Sequence, residues 1–187
     1  MIVLASASPR RRELLGTLIP DFTIEPAVGE EHTPDRGDAA ETVTVLAKAK
    51  AAEVAAKHPQ DIVIGADTVV VADGRILGKP KDAADAAGML RLLSGRSHTV
   101  CTGLCLMQGD TVLTHAEGTA VHFRELTDAE IAAYVETGEP MDKAGAYAIQ
   151  GLASLFITGI EGDYFNVVGL PLCALGTMLQ QMGVKLL

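Results

Sequence analysis

Short apolar runs alternate along the chain with stretches of helical spacing. Ile2-Val-Leu-Ala is a compact apolar run, and after Ser6-Ala-Ser-Pro the leucines at 14, 15 and 18 recur at the spacing of one helix face. Ser8 can cap that helix, and Pro9 suits its first position because an N–H there would have no helical partner. Residues 38–58 are rich in alanine and other helix formers, and Pro59 stops them. The segment from Asp61 to Gly74 is β-branched, apolar on both faces at its start and closed by an Asp-Gly turn, which predicts a buried central strand or hairpin.

Further along, Asp82 to Gly95 carries the start and stop signals of a helix. Thr127 opens another, with Glu130 completing a capping box and Gly138 and Pro140 ending it. Between them, Ser97 to Leu106 and Thr111 to Phe123 read as two long strands joined through Gln108-Gly-Asp. Leu152 to Ile160 and Tyr164 to Val168 read as strands about the turn Glu161-Gly-Asp, ahead of an apolar helix from Pro171 to Met182. Hairpins are too frequent for a purely parallel sheet, so the pattern predicts a mixed-sheet α/β fold. Without repeats or an interior linker, residues 1–187 are expected to form one domain.

Composition narrows the function classes. Hydrophobic residues at 48% and charged residues at 21% suit a folded core and argue against disorder. A formal net charge of −9 opposes binding along a nucleic-acid backbone, so a small anionic ligand would need a local cluster of cations. Cys101, Cys105 and Cys173 make no disulfide framework and suit a reducing compartment. The first two share a strand face, where small-residue packing is the simpler role than metal binding. The N-terminal run is too short and lacks the basic start of an export signal, and no apolar stretch is long enough for a bilayer span. A cytoplasmic protein without a membrane partner is expected.

Four places could carry chemistry. Ser6-Ala-Ser-Pro-Arg-Arg-Arg sets hydroxyls and guanidiniums beside a helix N-terminus, which suits phosphate as well as a plain capped helix. Asp67, in Gly65-Ala-Asp-Thr, puts a carboxylate at the end of an apolar Val/Ile strand, where it needs a partner, water or a metal. Turn hydrogen bonding is its bland alternative. Gly78-Lys-Pro has neither the spacing nor the hydroxyl of a P-loop, although Lys79 can meet phosphate as a point charge. Glu30-Glu-His lies in a polar loop and offers Mg²⁺ an oxygen ligand, or is simply a solvated acidic loop. The scattered histidines form no zinc-hydrolase pattern.

Together, Leu4-Ala-Ser-Ala-Ser-Pro-Arg-Arg, Gly65-Ala-Asp-Thr, Gly78-Lys-Pro, Leu93-Ser-Gly, Asp142-Lys-Ala-Gly-Ala-Tyr-Ala-Ile-Gln-Gly and Gly162-Asp-Tyr-Phe-Asn-Val-Val-Gly-Leu-Pro-Leu resemble the Maf family of nucleotide pyrophosphatases across nearly the whole chain. The resemblance implies an elongated mixed sheet flanked by helices, two lobes around a cleft, a fold shared with inosine triphosphate pyrophosphatases, and commonly a homodimer. It implies cleavage of a nucleoside triphosphate to monophosphate and pyrophosphate with Mg²⁺ or Mn²⁺. Asp67 corresponds to the family's proton acceptor or metal ligand, and Ser6, Arg11, Glu31, Lys50 and Lys79 to its other active-site positions, with Glu31 toward the metal and Lys48 competing with Lys50. Lys143 joins the phosphate-binding cations. Arg10, Thr68 and Gln150 match the subgroup acting on dTTP and UTP; the 7-methyl-GTP subgroup carries Trp, Gln and Glu there. A Gln amide can both donate to and accept from a uracil or thymine edge. Other readings are a pyrophosphatase for 7-methyl-GTP or another non-standard nucleotide, and a nucleotide-binding regulator of septum formation.

Overall fold

The computed structural model describes every residue except Glu30, Glu31 and Asp35. Strand β1 (Ile2–Leu4) leads into helix α1 (Pro9–Leu18), where Ser8 accepts from the Arg11 N–H and Pro9 occupies the first turn as the sequence predicts. A two-residue strand, β2 (Thr23–Ile24), comes next. It is too short to register as a hydrophobic pattern. Helix α2 (Ala39–Ala55), capped by Asp38, precedes the long strand β3 (Ile62–Ala72), which turns at Asp73-Gly74 into β4 (Arg75–Leu77). Then come α3 (Ala83–Leu93), the hairpin of β5 (Ser97–Gln108) and β6 (Thr111–Phe123), and α4 (Asp128–Glu136), whose Thr127–Glu130 capping box is present on both sides. The chain ends with β7 (Ile157–Glu161), α5 (Tyr164–Val168) and α6 (Leu172–Gln181).

Two expectations for the last third are corrected. Tyr164–Val168 is a short helix, because the Asp163 carboxylate accepts from the N–H groups of Phe165 and Asn166 and so nucleates a turn that outweighs the β-forming side chains. Leu152–Leu155 is a 3-10 turn, and only Ile157–Glu161 pairs as a strand.

The strands form one mixed sheet in the order β2-β1-β3-β5-β6-β7, with β4 also beside β3. β1 runs parallel to β3 along Ile62–Ile64, and β4 runs antiparallel to it along Val70–Ala72. Both lie on the same edge of β3. Between them that edge has no strand partner among the described residues, so the sheet forks beside Gly65–Val69.

The period of two along β3 then divides the interior. Ile64 and Ala66 join a core with Leu14 and Leu15 of α1, Leu104 and Leu106 of β5, and Leu175 and Leu179 of α6. Val70 and Ala72 join a second core with Leu90, Leu93, Phe123, Ile131 and Tyr134. Thr68 falls between the two on the same face. The opposite face is covered by α2, through Val43, Ala47, Ala51 and Val54. Cys101 and Cys105 pack there as buried free thiols, burial pushing Cys105 up to about 11.

Glycine sets how closely α2 can lie. A Cβ at Gly65 would meet the Ala47 carbonyl oxygen at 2.3 Å, and one at Gly103 would meet the Val43 carbonyl oxygen at 2.3 Å. Gly103→Ala is therefore expected to lower stability by about 1–3 kcal/mol through overpacking against backbone that cannot rotate away. Gly88, in α3 with nothing within 4 Å of its virtual Cβ, should instead gain roughly 0.4–1 kcal/mol as alanine. Urea unfolding of the two variants checks both signs.

Candidate active site

The fork leaves backbone groups of β3 without a strand to bond. Arg11, in the first turn of α1, supplies part of what is missing: its Nη1 donates to the Ala66 carbonyl at 3.0 Å and to Ser6 Oγ at 3.3 Å. Nη2 donates to Thr68 Oγ1 at 2.9 Å, and Nε to the Gly169 carbonyl at 2.8 Å. One guanidinium thus ties together the loop after β1, the middle of β3 and the turn between α5 and α6. Its planar, fixed donors suit that task better than an ammonium would.

Asp67 follows Ala66 and points to the α2 side. It is only 7% exposed, and Lys50 Nζ lies 2.6 Å from its Oδ1. A carboxylate this deep is costly without a charge partner, and the pair answers that cost. Gly103 is the cross-strand neighbour of Asp67, so the glycine that lets α2 approach lies beside the carboxylate that α2 must reach. Of the two competing lysines, Lys50 lines the cleft, whereas Lys48 is exposed and is not among its lining residues.

The cleft at the fork measures about 950 Å³. Ser6, Arg10, Arg11, Lys50, Asp67, Thr68, Lys79, Lys143 and Gln150 all line it, so the structure gathers these sequence-predicted residues at one place. Glu31 lies outside the described residues. Arg75 and Lys81 also line the cleft, bringing cations from both flanks of the β4 segment that sequence reasoning credited to Lys79 alone. Among the described residues, Arg10, Arg11, Lys50, Arg75, Lys79, Lys81 and Lys143 thus face only Asp67, Asp85 and Asp142, in a chain of net charge −9. This is the local positive basin that an anionic ligand requires. Arg12, the third arginine of the run, lines a separate shallow pocket with Pro9 and Phe22.

A continuous family model, described as Maf-like protein, matches residues 1–182. The chain belongs to the Maf family. Among its relatives, the Koribacter versatilis protein named dTTP/UTP pyrophosphatase is 54% identical over 184 residues, covering 98% of this chain and 95% of that one. A Moorella thermoacetica protein of the same name is 55% identical over 186 residues, covering 98% and 95%. One from Pyrococcus furiosus, also so named, is 47% identical over 185 residues, covering 99% and 96%. In three dimensions this Maf chain is similar to the Staphylococcus aureus Ham1 protein, with a TM-score of 0.53 over 97% of this chain and 98% of that one. At 14% identity that likeness speaks for the fold alone. The motif resemblance and the α/β fold read from the Maf sequence are both borne out.

In this Maf structure the segment carrying Lys143 and Gln150 is held from behind. The Tyr134 hydroxyl donates to Glu139 Oε1 at 2.9 Å and accepts from the Ala148 N–H, while Glu139 Oε2 accepts from the Leu152 N–H. Lys143 Nζ contacts Asp142 and the Glu139 carbonyl. Partial burial works against charge on Asp142, but the Lys143 ammonium, with Arg10 beyond it, holds that carboxyl below its usual range.

Tyr147 forms part of the cleft wall, and its hydroxyl meets His98 Nε2 at 2.6 Å in a cage of edge-on rings with Phe123. Burial, with a lesser push from His122, lowers the His98 imidazole to about 4. The native protein therefore keeps His98 neutral where the unfolded chain protonates it, so stability falls as pH drops from about 6.5 toward 4. The loss should total about 3 kcal/mol, since one pKa unit corresponds to ~1.4 kcal/mol. Chemical denaturation across that range should show a shallower decline for His98→Gln than for the parent protein.

Proposed function

We propose that this protein hydrolyses dTTP and UTP, and modified pyrimidine counterparts, to the nucleoside monophosphate and pyrophosphate. The observation that carries the reading is the Lys50-paired Asp67 carboxylate set in the sheet fork and ringed by cations. The names of the relatives supply the substrate class. Arg10, Thr68 and Gln150, which match the dTTP/UTP subgroup, all line the same cleft. No feature among the described residues of the site favours 7-methyl-GTP or a purely regulatory role. The free thiols suit a reducing cytoplasm, and a homodimer rests on likeness to the family.

In the reaction, Asp67 takes the proton of a water whose oxygen attacks the α-phosphorus, and the bond from that phosphorus to the bridging oxygen of pyrophosphate breaks. Lys50 orients the carboxylate and balances its charge. Lys79, Lys143, Arg75 and Lys81 offer point charges to the departing phosphates, and Arg10 reaches in from the first turn of α1. Arg11 serves chiefly to hold Ser6, Thr68 and the Ala66 carbonyl in place. Asp67 also presents Oδ2, to which no described side chain bonds. The described residues form no cluster of three or more His, Cys, Asp or Glu able to cage an ion. This donor set fits Mg²⁺ or Mn²⁺ held by Asp67, the phosphate oxygens and Glu31, since such ions take few carboxylates alongside substrate oxygens. When bound, the cation neutralises charge on those phosphate oxygens.

Pyrophosphate release with Mg²⁺ or Mn²⁺ across dTTP, UTP, CTP, GTP and 7-methyl-GTP tests the reading, with dTTP and UTP expected to lead. Asp67→Asn should reduce turnover by about 100-fold or more while the protein remains folded. Near-normal turnover in that variant would sink the assignment of Asp67.

A further inference from the structure

Thr102 is completely buried, lies directly across the ladder from Thr68, and belongs to none of the motifs read from the sequence. A hydroxyl has one proton to give. The N–H groups of Gly169 and Leu170 both turn to the Phe165 carbonyl, which leaves the Asn166 carbonyl at the end of α5 to be satisfied by Thr102 Oγ1 at 3.1 Å. With its proton committed there, Thr102 can only accept in its 2.9 Å contact with Thr68 Oγ1. Thr68 must then give its own proton to Thr102. It already accepts from Arg11 Nη2 at 2.9 Å, so only one acceptor lone pair remains for the cleft.

A phosphate has no proton to offer such a group at neutral pH. Val70, Val100, Tyr147, Val167 and Val168 also line this cleft and give it apolar surface that suits the flat face of a base. We infer that Thr102 is a positioning residue for base selection: with the Asn166 carbonyl it fixes Thr68 as a dedicated acceptor for the imide N3–H of uracil and thymine. Cytosine places a lone pair at that atom, and two acceptors would then face each other with neither satisfied. The inference rests on the proposed pyrimidine pyrophosphatase activity and extends it to a buried residue that never touches the substrate.

The test compares kcat/KM for UTP and CTP in the parent protein, Thr102→Val and Thr102→Ser. The parent should prefer UTP. Valine keeps the volume but frees the Thr68 hydroxyl to turn its proton toward the cleft, so the UTP to CTP ratio should narrow by about tenfold. Serine keeps the relay and should restore the ratio. An equal loss on both nucleotides, or an unchanged ratio in Thr102→Val, would overturn the inference, the latter pointing to a ribose hydroxyl as the donor. Should the valine variant not fold, 3-methyl-UTP decides with the parent protein, because its N3 carries no proton. Turnover near that of UTP overturns the inference, and a rate falling with that of CTP supports it. Absence of pyrophosphate from UTP itself would defeat the proposed activity and the inference together.

Discussion

The close seating of α2 on the centre of the sheet is the constraint from which the site follows. Two positions without side chains, Gly65 and Gly103, let the helix backbone rest on strands β3 and β5. At that separation Lys50 reaches Asp67 in a 2.6 Å contact. Removing the ammonium would leave Asp67 charged and poorly hydrated, a change that typically costs more than the pair itself contributes. Packing and chemistry are therefore coupled, since a shift of the helix alters the setting of the carboxylate.

The second organising element is a strand that changes neighbours. β3 begins beside β1 and ends beside β4, and between them that edge has no strand partner among the described residues, while β5 stays paired along the other edge. In most sheets such an interval would be a defect. Here Arg11 satisfies the buried carbonyl of Ala66, and successive residues of one strand present different chemistry to one cavity, Asp67 on the α2 side and Thr68 on the other. The two apolar cores that flank Thr68 are built from different helices, so the floor of the cleft lies at their boundary.

Local signals were the legible part of the sequence. The Ser8-Pro9 helix start, the Thr127–Glu130 box and the β5–β6 hairpin depend on neighbours a few residues away, and each forms as its pattern indicates. The Tyr164–Val168 segment misleads because aromatic and branched side chains suggest a strand while one preceding carboxylate caps a turn. Among the residues that line the cleft, those within short motifs were readable as candidates, Asp67 and Lys79 foremost. Arg75 and Lys81 were not, since nothing local distinguishes a cleft-lining cation from a solvated one. Gly103 and Thr102 were equally silent, because their roles exist only once β5 lies between β3 and its covering elements.

Arg11 also bears on the order of assembly. Its bond to the Gly169 carbonyl joins residues 158 positions apart, nearly the full length of the chain. Contacts so distant in sequence form late, because the loop they close must first be gathered by other interactions. The hairpin and α2 can dock while the C-terminal part is still missing, but the cleft cannot reach its final shape. A chain made only as far as β6 would thus hold most of the sheet and an unfinished pocket, and competence to handle a ligand would arrive only once Gly169 has joined.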